Sequence, residues 1–369
     1  MEIPREDRTF FDFLQVQRHG LLADKKGRAI LDEIMKRVGD DPRLLKTRVP
    51  ILLHVLVIGA AEIRRLVADR QGNPQLNDSK YLVVNVETDW RLNAQVETDP
   101  PYHIYLSSNL CLYNARVIEL LMGGLGISAM DGSTTHKARF SQQELGAALG
   151  AILEGFIDKH VISDSENKIG HQYGLMHSAA QFSGLMFAIC HEFGHVVIND
   201  CSRQGRMPPF AAFAQARLSG AFEKLISSSQ HDPDNRIGLR RLSKDRLDAV
   251  YDAWMEEIIA DIIGADLAIE YLSQISLFKA EADAAGWIRM GIHMSALGRL
   301  FHHVYRNYRD PAHAMISQTH PPVDFRNYCI YRFLYGDRFL EAIRPWDGYA
   351  REVMKHLLLS SPRAPMRRR

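Results

Sequence analysis

Residues Leu185–Asn199 read LMFAICHEFGHVVIN, and this run limits what the chain can fold into more than any other. Its apolar residues Leu185, Met186, Phe187, Ile189, Val196, Val197 and Ile198 fall on every side of a helix of 3.6 residues per turn. A helix apolar all round is a buried one, so other elements have to cover each of its faces. Yet it carries His191, Glu192 and His195, whose burial without partners is expensive. Something inside the core must therefore meet these three side chains.

The three residues have the spacing H-E-x-x-H. Residues four apart on a helix are offset by about 40° and 6 Å, so two imidazoles reach one cation at about 2.0–2.1 Å. Glu192 then lies beside the cation rather than on it, placed to take a proton from a bound water. The competing reading is a buried helix whose histidines hydrogen-bond elsewhere. Gly194, between the two histidines, costs a helix about 1 kcal/mol relative to Ala. Either it permits close approach by a neighbouring backbone, or it is a tolerated helix glycine.

A third ligand decides the class of site. A metzincin pattern would need Gly at position 198 and His at 201, where this chain has Ile198 and Cys201; without the Gly turn, Cys201 is a poor ligand. Further on, Trp254–Ala268 reads WMEEIIADIIGADLA. Glu257 and Asp261 share one helical face, among Ile258, Ile259, Ile262 and Ile263 rather than on a solvated acidic surface. Glu257 can complete a His₂Glu set of the kind catalytic zinc sites use. Asp261 can accept a hydrogen bond from the far nitrogen of a ligand histidine, His191 being the expected one. Glu256 is the rival ligand. Its i+4 neighbour is Ala260, which offers no acceptor, so Glu257 is preferred. Two imidazoles and a carboxylate suit one zinc per chain, and other divalent metals stay open at this stage. His160, His171, His177, His293, His302 and His303 have no ligand-like partner in the sequence.

With 369 residues the chain has room for two domains, or one with a large insertion, at roughly 100–200 residues each. The expected division is a helical region over 1–80, a metal-bearing domain over 81–345 with an insertion at about 200–245, and a C-terminal segment over 346–369 with a basic tail. Strands are expected at Tyr81–Val86 and His103–Leu106, and Gln71-Gly72-Asn73-Pro74 is a breaker. Helices are expected over 142–162, 177–198, 246–272 and 281–308, with a last one from Pro321-Pro322 through Tyr335. The fold class is therefore α+β, mostly helical, with a small sheet beside the His-bearing helix. Lys+Arg and Asp+Glu number 45 and 44, so no whole-protein basic footprint for nucleic acid exists, and Arg236–Lys244 and Arg367–Arg369 read as solvated charge. Cys111, Cys190, Cys201 and Cys329 form no CxxC pair, which suits a reducing, cytoplasmic setting. Pro50–Ala61 falls short of the roughly 20 residues that span a bilayer, so no membrane span is expected. Oligomeric state leaves no mark in the sequence.

The HExGH form with Glu257-x-x-Ala260-Asp261 downstream resembles the gluzincin metallopeptidases. It looks most like the CAAX prenyl endopeptidases and heat-shock membrane proteases. Ser317–Arg326, SQTHPPVDFR, is similar to that family's Ser-x-x-His-Pro followed by an Arg at a helix start. Asn93-Ala94, ahead of His103–Leu106 and Ser107-Ser108-Asn109-Leu110, resembles its Asn-Ala and edge-strand segment. The similarity runs in patches from about Asn93 to Arg326. It departs in lacking membrane helices, so soluble groups compete: proteases that cleave phage-type repressors, and phage-exclusion peptidases. The resemblance implies a zinc-dependent endopeptidase acting on a protein or peptide substrate, with Glu192 as general base. It implies that His320 stabilises the oxyanion and Arg326 orders the site. It also implies that Asn93 and the strand near Tyr105 hold an extended substrate by strand addition. The alternatives are a regulatory or phage-defence protein of restricted or latent activity, and a metal-bearing binding protein.

Overall fold

A computed structural model describes residues 59–87, 94–123, 127–128, 135–136, 141–157, 174–228, 242–275, 284–309 and 318–360. Helix α1, Ala60–Gln71, leads into a sheet of β1 (Leu82–Glu87), β2 (Ala94–Glu97) and β3 (Tyr102–Ser107). Helix α2 (Ser108–Gly123), a two-residue pairing of β4 (Ile127–Ser128) with β5 (Thr135–His136), and α3 (Gln142–Ile157) follow. The two longest helices are α4 (Gly174–Arg203) and α6 (Lys244–Gln274), separated by α5 (Ala211–Ser228). Helices α7 (Ala284–Arg309), α8 (Val323–Tyr335) and α9 (Phe339–Ser360) complete the order. The fold is mostly helical with one small three-stranded sheet, and no described helix is long and apolar enough to cross a membrane.

Helix α4 is covered as its composition demands. Helix α6 lies along one face, α7 and α2 on others, and α1 with β2 and β3 on the remainder. Leu185, Met186, Phe187, Ile189, Val196 and Val197 are all buried. At about 1.5–3 kcal/mol each, their burial is what holds a helix carrying three polar site residues in the centre. The breaker after α1 works through Gly72, which adopts φ +64°, while the Asn73 N–H returns to the Ala68 carbonyl at 3.1 Å.

In the sheet, β3 is central: it pairs parallel with β1 and antiparallel with β2. The sequence showed β1 and β3 as strands but not β2, whose four residues are too few for a clear alternation. The helical pattern also ran further than expected. Gly336, at φ +59°, closes α8; a short 3-10 turn follows, and α9 then crosses the anticipated boundary at 345/346. Pro345 and Gly348 obscure that helix in the sequence. Packing of Ala350, Val353 and Leu357 into one cluster with Leu145, Leu149 and Leu153 of α3 overrides them. Most of the expected N-terminal region, residues 236–241 of the basic stretch and the Arg-rich tail lie outside the described residues.

Candidate metal centre

Helices α4 and α6 cross at two reciprocal glycines. A Cβ on Gly194 would stand 2.7 Å from the Ala260 carbonyl oxygen, and one on Gly264 would stand 2.7 Å from the His191 nitrogen. Each helix thus presses its backbone into the gap left by the other's missing side chain. Gly194 has the close-approach role; Gly264, its mate, carried no separate signal in the sequence.

That approach brings two stretches 60-odd positions apart into one cluster of His191, His195 and Glu257. His191 Nε2 lies 3.7 Å from Glu257 Oε2, and His195 Nε2 lies 3.6 Å from Glu257 Oε1. The edge of a zinc tetrahedron with ligand bonds of 2.0–2.1 Å is about 3.3–3.4 Å. Each imidazole–carboxylate distance exceeds that edge by only a few tenths of an ångström, and all three donors lie within 4.8 Å of one another. Two imidazoles and a carboxylate are also a donor set that zinc prefers, so the residues fit the ion.

Glu192 is buried next to the donors without joining them, its Oε1 4.0 Å from His191 Nε2. Burial pushes its carboxyl up, against the pull of both imidazoles. That is the direction a proton acceptor and donor needs at neutral pH.

Behind the histidines the two outer nitrogens meet different carboxylates. His191 Nδ1 is 3.1 Å from Asp261 Oδ1. Asp261 is fully buried and gripped by Arg326, which donates from Nε to Oδ2 at 2.7 Å and from Nη2 to Oδ1 at 2.9 Å. Arg299 of α7 donates to Oδ1 as well, at 3.0 Å. Burial alone would raise the Asp261 carboxyl, but Arg299, Arg326 and His191 hold it well below the usual range. Arg326 also sets Nη1 2.9 Å from Glu257 Oε2. Burial would raise Glu257 likewise, and Arg326 with the two imidazoles keeps it low. His195 Nδ1 pairs with Glu256 Oε1 at 2.9 Å. Burial works against protonation of His195, and the Glu256 bond with Glu257 and Glu192 nearby outweighs it.

His320, ahead of α8, reaches the same centre, with Nε2 3.4 Å from Glu257 Oε1 and Nδ1 2.8 Å from Thr319 Oγ1. Tyr105 does not have the role suggested for its strand. It sits on β3, bonded on both sides through Asn85 and Gln95, so that backbone offers no open edge; its hydroxyl donates to Glu97 at 3.2 Å. The edge next to α4 belongs to β2. Asn93 lies outside the described residues. Cys201 is buried away from the cluster, with Sγ donating to Gln71 Oε1 at 3.1 Å. Arg299 and the outward role of Glu256 leave no mark in the sequence: a single Arg on an amphipathic helix has no signature, and Glu256 reads there only as a rival ligand.

No protein-family model, curated protein or solved structure matches this chain.

Proposed function

We propose that the chain is a zinc-dependent endopeptidase of the gluzincin type, hydrolysing peptide bonds of a protein or peptide substrate. The observation that carries this is the meeting of His191, His195 and Glu257 from α4 and α6, with Glu192 buried beside them and outside the ligand set. His191, His195 and Glu257 would hold zinc, which would supply Lewis acidity and bring the pKa of a water down toward neutrality. Glu192 takes the proton and passes it to the leaving amine, work that contributes about 10²–10⁴-fold. His320, half-exposed at the mouth of the centre, donates from Nε2 to the developing oxyanion, with Nδ1 steadied by Thr319. Arg326 holds Glu257 and Asp261 in register. An extended substrate adds to the edge of β2 that no other described strand pairs with, rather than to β3. A reducing, cytoplasmic setting suits Cys190, Cys201 and Cys329, all buried free thiols.

The test is metal analysis joined to a peptidase screen. Wild type should carry close to one zinc per chain, and His191→Ala, His195→Ala and Glu257→Ala should lose it. Glu192→Gln should keep the metal and abolish cleavage. A wild-type protein that takes up no zinc on reconstitution would overturn the metal; cleavage by Glu192→Gln at the wild-type rate would overturn the mechanism.

A further inference from the structure

We propose that Glu256 is a positioning residue for His195, fixing its tautomer and strengthening its hold on the metal. This rests on the zinc reading above. Helix α6 delivers three carboxylates to two imidazoles. Glu257 faces the two Nε2 atoms. Asp261 stands at Nδ1 of His191, and Glu256 stands at Nδ1 of His195. Adjacent residues on a helix are about 100° apart, so Glu256 and Glu257 cannot both face the ion. Glu256 instead passes around the imidazole and closes on its far nitrogen at 2.9 Å.

The chemistry follows from what a carboxylate can do. Ionised, it only accepts, so His195 must carry its proton on Nδ1 and keep the Nε2 lone pair for a metal. A negative acceptor also makes the imidazole a stronger donor. At His191 that charge is shared, because Asp261 also serves Arg326 and Arg299. Among the described residues the Glu256 carboxylate pairs with His195 alone, so its charge acts undivided. Its side chain is 41% exposed, so on its removal water can take its place at His195 Nδ1 and the apo fold should stay in place.

The experiment titrates zinc into the apo form of the full chain against a chromogenic chelator, for wild type, Glu256→Gln and Glu256→Ala, with the unfolding midpoint of each apo protein alongside. Glu256→Ala should weaken zinc binding by about 10–100-fold with the apo midpoint unchanged. Glu256→Gln keeps an acceptor without the charge and should fall between. The visible spectrum of cobalt-loaded protein should shift in both variants, as a change in donor strength requires. Zinc binding by Glu256→Ala within about twofold of wild type would overturn the proposal while leaving the metal site standing. Weakened binding that tracks a fallen apo midpoint would overturn it too, since Glu256 would then serve the fold. A wild type that binds no zinc would overturn the parent reading and this one together.

Discussion

The outer nitrogen of His191 meets Asp261, which is buried and held by two guanidiniums; that of His195 meets Glu256, which is 41% exposed and held by neither. The two histidines are one turn apart on the same helix, yet their supports obey different physics. A buried carboxylate has lost its water and persists only because Arg326 and Arg299 replace it. That half of the centre is part of the protein's stability. An exposed carboxylate keeps its water, so its charge is available to tune the imidazole at little cost to the fold. The centre therefore joins a rigid side, which sets position, to an open side, which sets affinity.

The largest test of this contrast is Asp261→Ala. It takes from Arg299 its carboxylate and leaves the buried Arg326 with Glu257 alone, and should cost about 3–5 kcal/mol by urea denaturation of the apo protein. A cost no greater than that of Glu256→Ala would erase the distinction between the two sides.

His293 of α7 offers a buried histidine of another kind. It stacks on Tyr331 at 4.3 Å and touches the Tyr335 hydroxyl at 3.4 Å, with no carboxylate paired to it among the described residues. Burial lowers its pKa from 6.5 to about 3. Below pH 6.5 the unfolded chain takes up a proton that the folded chain refuses, so stability falls with pH until the folded state titrates too. The loss should reach about 3 kcal/mol near pH 4, and His293→Phe should flatten that acid limb in a series of denaturation curves. An unchanged limb would show that His293 does not feel its burial.

Gly264→Ala comes next. The added Cβ meets the His191 backbone at 2.7 Å, so α4 and α6 must part. The cost should be about 1–3 kcal/mol, with zinc affinity falling in step, because both sides of the centre depend on that crossing. Smallest is the apo stability of Glu256→Gln, which should stay within about 0.5 kcal/mol of wild type. A larger fall would mean that the open side also carries structure.

Much of the centre was legible in the sequence because its parts are local. The spacing of His191 and His195, of Glu257 and Asp261, and the apolar setting of both runs are properties of one helix each. The Asp261 partner of His191 was legible as well, since an i+4 acid behind a ligand acid has few other uses on a buried face. Arg299 and the bond between Glu256 and His195 were not legible. Each depends on which side of one helix another presents, and that follows from packing across the whole core. Tyr105 shows the same limit in the sheet: its alternation marked a strand, but only strand order told a central strand from an edge.

By itself, then, the sequence determined that α4 must be buried, that it brings two imidazoles and an acid to one side, and that a second helix carries matching carboxylates. Helical periodicity settles such matters within a few residues. The tertiary structure alone decided how near the two helices come, through Gly194 and Gly264, which guanidiniums neutralise Asp261, and which of the described strands is central. Those depend on distances between elements far apart in the chain, and such distances emerge only when every face competes for burial at once.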